Sequence, residues 1–299
     1  MEMNLTHNKK ILYGAGIIAL WVLLLFVWFL FLQQFDKKIE AEPVVIERIF
    51  PEVKLVAEAG IVKDLKTGEI LYEKNKNEQH PLASLAKIMS TIVAHEFLGD
   101  TTEIAINQKN LLMDGDVGLL ENERWRTKEL LGLILLASSN DASNAIKSTV
   151  ESSFNVDFIE EMNKKGEFLG LSDTYFLNET GLDVTKNIGG SYGSAEDIAD
   201  LLEYAIKNHY DLFKSTEKKQ ETIYSLNYGA HTIQNTNTII NSIPSFVAGK
   251  TGFTDLAGGN LAIVFEKEPG HPIAVVVLGS TKDGRFTDVE QLVWATFKY

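Results

Sequence analysis

Apolar and polar positions change their rhythm three times along the chain. From Ile11 to Leu32 there is no charged residue, a run of 22 positions. As a helix this run is ~33 Å long, enough for a hydrocarbon core ~30 Å thick. Gln33-Gln-Phe-Asp-Lys-Lys38 then breaks the pattern, and a charged stretch with Pro43 and no clear period follows to about Phe50. Beyond Val53 the apolar residues fall into strand-length and helix-length groups, and a folded domain is expected to begin there. The division read from the pattern is a tail over 1–10, a membrane span over 11–32, a linker over 33–52 and a folded domain over 53–299. A cleaved signal peptide has a shorter apolar region followed by a small-x-small site, so an uncleaved anchor is the expectation here. Lysines flank the span on both sides (Lys9 and Lys10 before it, Lys37 and Lys38 after it), so charge does not fix its orientation.

Within the domain, Ala57–Lys63, the turn Asp64–Gly68 and Glu69–Glu73 predict a hairpin. A buried helix is expected from Ser84, with Ile88, Ile92 and Phe97 on its apolar face and Gly99 closing it. Residues 101–126 read as irregular. Thr127 is the expected N-cap of a helix over Lys128–Ala137, which is apolar all round and therefore central. Further helices are expected from Asp141, over Asp157–Leu169 (with Gly166 costing ~1 kcal/mol) and over Ala195–Lys207, the last opened by a Ser194/Asp197 capping box. The final third turns to strands: Glu221–Leu226, Thr232–Gln234, Phe246–Phe253, Asn260–Glu266 and Ile273–Gly279, with Pro269-Gly270 as a turn and Thr287–Tyr299 as a closing helix. Strands at both ends of the domain and helices between them make an α+β fold, one antiparallel sheet flanked by a helical cluster.

Composition changes this picture little. A hydrophobic share of 45% and a charged share of 23% are those of a globular protein. The chain has no cysteine, which excludes thiol catalysis, thiolate zinc sites and disulfides. With 28 basic against 41 acidic residues the net charge is −13, and no basic footprint for nucleic acid exists. The six histidines show no metal-binding spacing and are expected on the surface. No cofactor is expected.

Candidate chemistry begins at Ser84-x-x-Lys87. Residues three apart share a helix face, so the hydroxyl and the amine can meet. A serine needs a base to become a nucleophile. Lysine, with a free pKa of ~10.4, serves only if burial or a second cation lowers that value. Two further short patterns follow, Ser138-x-Asn140 and Lys250-Thr-Gly252. Each alone is weak. Ser215-x-x-Lys218, Ser153-x-Asn155, Ser225-x-Asn227 and Lys66-Thr-Gly68 fit the same patterns, but they fall in polar runs, turns or strand ends. Ser84, Ser138 and Lys250 fall on a buried helix, at a buried helix end and in an apolar strand, supports rigid enough for a site.

With these motifs stand Leu136-Ala-Ser-Ser-Asn-Asp-Ala142, Phe176-Leu-Asn-Glu-Thr-Gly-Leu-Asp183, Ser191-Tyr-Gly-Ser-Ala-Glu-Asp-Ile-Ala199, Asn235-Thr-Asn237, Gly249-Lys-Thr-Gly-Phe-Thr254, and Gly279-Ser280 with Arg285-Phe286. From about residue 55 to 299 the chain resembles the D-alanyl-D-alanine carboxypeptidases, the low-molecular-mass penicillin-binding proteins. The resemblance implies a β-lactamase/transpeptidase-like fold. It implies that Ser84 attacks a terminal D-Ala-D-Ala bond, that Lys87 takes its proton and that Lys250 helps keep Lys87 neutral. Ser138 would relay a proton to the leaving D-alanine, and Asn140 would bind the substrate amide. The N–H groups of Ser84 and Phe253 would form an oxyanion hole, Gly252 would let substrate lie against the strand, and Thr251 and Arg285 would hold the terminal carboxylate. β-Lactams would acylate Ser84, and the peptidoglycan substrate places the domain on the extracytoplasmic side. Larger relatives add a C-terminal β domain and an amphipathic anchor; here the N-terminal span is expected to anchor.

Other readings stay in view. Ser84 alone could be an N-cap, Lys87 a solvated lysine and Arg285 a surface arginine. Gly189-Gly-Ser191-Tyr-Gly193 fits a nucleophile elbow, but the residues before it make a poor strand. Glu179 resembles the glutamate with which β-lactamases activate water, whereas its Thr-Gly-Leu-Asp surroundings fit the carboxypeptidases. A peptidoglycan binder with a dead site is the third class; a complete set of catalytic positions argues against it.

Overall fold

The computed structural model describes residues 3–35, 49–112 and 117–299. The expected linker falls mostly on 36–48, outside the described residues. The chain divides into two compact units, residues 1–48 and 49–299. In the first, helix α1 (Met3–Phe35) contains a 21-residue stretch, Tyr13–Gln33, of mean hydropathy 2.8 with none of it buried. By length and composition that stretch can cross a membrane.

The second unit is built on a five-stranded antiparallel sheet whose strands come from both ends of the unit. β1 (Ala59–Asp64) and β2 (Ile70–Lys74) form the predicted hairpin. The chain then runs through the short β3 (His80–Pro81) into α2 (Ala86–Leu98), β4 (Glu103–Ala105), β5 (Arg124–Arg126), α3 (Thr127–Ala137), α4 (Asn140–Phe154) and α5 (Phe158–Leu169). After β6 (Tyr175–Phe176) and β7 (Ser191–Gly193), α6 (Ala195–Phe213) leads to β8 (Gln220–Tyr224) and β9 (Ala230–Gln234). The last sheet strands, β10 (Phe246–Thr254), β11 (Gly258–Glu268) and β12 (His271–Ser280), precede α7 (Gly284–Lys298). The sheet order is β10-β11-β12-β1-β2.

This sheet is buried on both faces. Ala274, Val276 and Leu278 of β12 join the core formed with α2 to α6, while Ile273, Val275 and Val277 pack with Val289, Leu292 and Val293 of α7. Two-sided burial is why these strands read as unbroken apolar runs rather than as alternating ones. Asp288 of α7, fully buried, accepts the N–H groups of Val56 and Ala57 and the Ser280 hydroxyl, which ties the last helix to the start of the sheet unit.

Several expectations need correction. Arg126, not Thr127, is the N-cap of α3, and the Thr127 hydroxyl donates instead to Thr102 O at 3.0 Å. Ser194 does cap α6, accepting from Asp197 N. Asp197, however, is buried and accepts from Asp173 N and the Thr174 hydroxyl, so only half of the capping box forms. Residues 101–126 contain the β4–β5 pair. β8 and β9 pair only with each other and stand apart from the main sheet. α6 runs six residues beyond Lys207, and α7 begins at Gly284, which brings Arg285 into its first turn. None of the five histidines between residues 49 and 299 is fully exposed. Each lies beside a carboxylate: His80 by Glu58, His95 by Asp100, His209 by Glu96, His231 by Glu123 and His271 by Asp64.

Candidate active site

The site starts at an irregular turn. Ala83 holds φ at +49°, a conformation that alanine adopts only when its surroundings impose it. The turn is held by Leu82 N donating to Ser191 O and by Asn260 Nδ2 donating to Pro81 O, both close to 3 Å. A 3₁₀ turn over Ala83–Leu85 follows, and α2 continues it. Ser84 therefore lies within this 3₁₀ turn, two residues before the first residue of α2, rather than at the N-cap of that helix. That position is Leu85, where no side chain caps the helix. The N-cap reading of Ser84 fails on this geometry.

Lys87 is completely buried on α2. Its Nζ lies 2.9 Å from Ser84 Oγ, 2.6 Å from Asn140 Oδ1 and 2.9 Å from Thr180 O. The last two atoms only accept hydrogen bonds. A neutral amine has two N–H bonds and one lone pair. The protonated amine donates to all three oxygens; in the neutral form both N–H bonds go to the two acceptor-only oxygens and the lone pair is left for the Ser84 hydroxyl. Burial lowers the Lys87 pKa to about 7, against an opposing pull from Glu179.

Ser138 and Asn140 come from the junction of α3 and α4. Ser138 ends α3 in the left-handed conformation, φ +62°, and Ser139 caps α4 by accepting from Ala142 N. The reversal turns Asn140 toward Lys87 and leaves Ser138 Oγ 2.8 Å from Lys250 Nζ. Lys250, in mid-strand on β10, also donates to Thr251 O. Burial pushes its pKa well below the ordinary lysine value, and the charges of Lys87 and Arg285 push it further. Each of these two buried amines disfavours the other's protonated form, in addition to the desolvation that lowers both.

Gly252 shows how tightly β10 lies against the turn. A Cβ at this position would sit 2.8 Å from Leu82 O and 3.2 Å from Ser84 N. The Thr251 hydroxyl donates to Thr236 Oγ1 at 2.7 Å. Phe253 is 40% exposed at the end of the strand, with Lys282 Nζ 5.3 Å from its ring centroid. Arg285 is buried, contrary to the surface reading; its Nη1 donates to Gly252 O at 2.6 Å and its guanidinium lies over the Phe286 ring.

The structure thus brings together two hydrogen-bonded groups, Ser84–Lys87–Asn140 and Ser138–Lys250, whose lysines lie near enough to repel each other, with Thr251, Gly252, Phe253 and Arg285 along the adjoining strand and helix. The competing motifs are elsewhere. Ser215 bonds within its own turn, and Lys218 pairs with Glu221. Ser191, the nucleophile-elbow candidate, is fully buried in β7. Glu179 is buried and held by Asn144 and Lys147, with no contact to Ser84 among its described bonds. Sequence reading missed the Thr180 carbonyl, which carries no side-chain signal, and Lys147. The latter could have been found, because Asn140, Asn144 and Lys147 recur four and seven apart along one helix face.

A serine–lysine helix facing a Lys-Thr-Gly strand across a Ser-x-Asn corner defines the penicillin-binding class of fold. The ampicillin-bound form of penicillin-binding protein D2 from Listeria monocytogenes superposes with a TM-score of 0.72 at 28% identity, covering 83% of this chain and 99% of that one. The D-alanyl-D-alanine carboxypeptidase family, peptidase S11, matches residues 47–282, and this chain belongs to that family. Among its relatives are the D-alanyl-D-alanine carboxypeptidase DacF of Bacillus subtilis, 32% identical over 243 residues and 79% of this chain, and a D-alanyl-D-alanine endopeptidase of Escherichia coli, 25% identical over 246 residues. The match spans 61% of the DacF chain and 76% of the endopeptidase.

Proposed function

We propose that this protein is a membrane-anchored serine D,D-carboxypeptidase that removes the terminal D-alanine from peptidoglycan stem peptides. The observation that carries this reading is the buried Lys87 amine, with Ser84 Oγ, Asn140 Oδ1 and Thr180 O all within 2.9 Å. In this reading, residues 1–10 are cytoplasmic, 11–32 cross the membrane, 33–52 form a linker and 53–299 are the catalytic domain on the extracytoplasmic side.

The steps follow from the geometry. Lys87 accepts the Ser84 proton as Oγ attacks the carbonyl carbon of the terminal D-Ala-D-Ala bond. At a pKa of about 7, roughly half of the Lys87 amines are neutral at pH 7, against about one in three thousand at the free lysine value. The tetrahedral oxyanion forms between the N–H groups of Ser84 and Phe253, each such donor contributing ~3–4 kcal/mol to the barrier reduction. Ser138, beside Lys250, passes a proton to the departing D-alanine nitrogen. Asn140 holds the substrate amide, and Thr251 and Arg285 hold the terminal carboxylate beside β10, which Gly252 lets pack against the nucleophile turn. Water then releases the acyl group from Ser84. A β-lactam acylates Ser84 by the same route.

Cross-bridge cleavage uses the same acyl chemistry, and the endopeptidase relative keeps that second reading open. The bonds of Glu179 to Asn144 and Lys147 favour a peptidase over a β-lactamase, in which this carboxylate must reach the water that attacks the acyl ester. The test is D-alanine release from a stem pentapeptide by the full chain in detergent micelles. Release that disappears in Ser84→Ala is expected. A wild type that is acylated by penicillin yet frees no D-alanine defeats the carboxypeptidase reading.

A further inference from the structure

The loop 178–183 meets both Lys87 and α4. Its consecutive residues Glu179 and Thr180 face two different partners. The Thr180 carbonyl accepts from Lys87 Nζ at 2.9 Å. The Glu179 carboxylate, 2% exposed, is gripped from α4: Asn144 Nδ2 donates to Oε1 at 3.2 Å, and Lys147 Nζ lies 3.4 Å from Oε2. Asn144 Oδ1 in turn accepts from Asn110 Nδ2 at 2.9 Å, so the grip is anchored in a second buried side chain. On the loop itself, Asn178 Oδ1 takes the N–H groups of Thr180 and Gly181 at 3.2 and 2.7 Å.

The helix α4 therefore reaches Lys87 by two routes on one face. Asn140 bonds the amine directly. Asn144 and Lys147, one and two turns further along, hold the carboxylate whose neighbouring carbonyl bonds the same amine. We propose that Glu179 is a positioning residue for Lys87, seating the Thr180 carbonyl under the amine and holding beside it a negative charge that Lys147 only partly balances. This assignment rests on the reading of Lys87 as the base.

Positioning alone needs only hydrogen-bond capacity, which an amide supplies. A buried carboxylate adds a charge that must be compensated. The compensation here is one lysine at 3.4 Å whose side chain is 27% exposed, a looser partner than a bidentate or fully buried one. The remaining field acts on Lys87 and favours its protonated form, opposing the desolvation that strips the proton. From β10, Lys250 faces the same site, with Arg285 of α7 acting on Lys250 in turn. When protonated, Lys250 acts on Lys87 in the opposite sense. Glu179 thus opposes the desolvation of Lys87 and favours the protonated amine.

The two charges give opposite signs, which a purely structural role does not. Glu179→Gln keeps the bond from Asn144 and removes the charge, so Lys87 loses its proton more readily. Lys147→Gln leaves the carboxylate uncompensated, so Lys87 holds its proton more strongly. The readout is the NMR titration of the Lys87 side chain in the full chain in detergent micelles. Lysine is labelled at Cε, and the resonance is assigned by its absence in Lys87→Met. The midpoint is expected to fall by about half a unit or more in Glu179→Gln and to rise by about as much in Lys147→Gln. Midpoints that stay put in both variants, or move in one direction in both, overturn the proposal. Should Glu179→Gln fail to fold, the upward shift in Lys147→Gln decides alone, and an unmoved midpoint there rejects it. Penicillin acylation of the wild type is measured alongside. If it is absent, the catalytic reading falls, while the titration still reports whether Glu179 acts on Lys87.

Discussion

Replacing Lys87 with methionine lowers the rate of penicillin acylation by about a thousandfold, the middle of the range for losing a positioned general base. Methionine keeps the length of the buried stem but has no lone pair for the Ser84 proton. The fold is expected to survive, because the substitution also removes the cost of burying an amine, which offsets the loss of a donor to Asn140 and Thr180. In the wild type, the same base predicts the pH profile. Lys87 acts only when neutral, and burial lowers its pKa to about 7. Acylation should therefore rise as pH increases from 6 to 8, with a midpoint near 7, and this rising limb should vanish in Lys87→Met. Stopped-flow acylation with a fluorescent penicillin, paired with thermal unfolding, measures both. A methionine variant within tenfold of the wild type shows that another group takes the proton.

Gly181→Ala is the second large effect, and it acts on the frame of the site. Gly181 has φ +77°, and a Cβ there would lie 1.8 Å from Ala83 O, inside the backbone of the nucleophile turn. The left-handed conformation alone costs an alanine ~1–2 kcal/mol. Contact with a backbone oxygen cannot be relieved by a rotamer change, so the loop has to withdraw from Ala83 and take the Thr180 carbonyl with it. A stability loss of about 3 kcal/mol or more is expected, a fall in Tm of roughly 6–12 °C in a unit of this size, with acylation slowed at least tenfold. Gly170→Ala is the control. Its φ is +76°, but nothing lies within 4 Å of the added Cβ, so it carries the conformational cost without the collision. Equal losses in the two variants would show that the loop does not press on the turn.

The parts of this structure that the sequence announces are those set by a single strong term. β10 to β12 are buried on both faces along their middles, and the apolar runs of β11 and β12 bracket those two strands to within a few residues. The same double burial separates Lys250-Thr-Gly252 from the look-alike Lys66-Thr-Gly68, which forms a hairpin turn. Ser84, Ser138 and Lys250 were legible because each motif coincided with an apolar support.

What the sequence hid depends on long-range partners. Asp197 has the spacing of a capping box, yet Asp173 N and the Thr174 hydroxyl compete for its carboxylate and win. β8 and β9 carry strand patterning, but nothing in it says that the hairpin stands apart from the main sheet. Histidines read as surface residues because their carboxylate partners lie far off in sequence, as with His231 and Glu123 or His271 and Asp64. Arg285 was ambiguous for the same reason: only the three-dimensional fold carries the first turn of α7 to the Gly252 carbonyl.

The most direct test of the site is to find which atom becomes acylated. Full-length protein is incubated with labelled penicillin, digested, and its peptides mapped by mass spectrometry. A single penicilloyl adduct on the peptide containing Ser84, absent from Ser84→Ala, is the expected result. An adduct on Ser138, Ser191 or any other serine, or one that persists in Ser84→Ala, contradicts it.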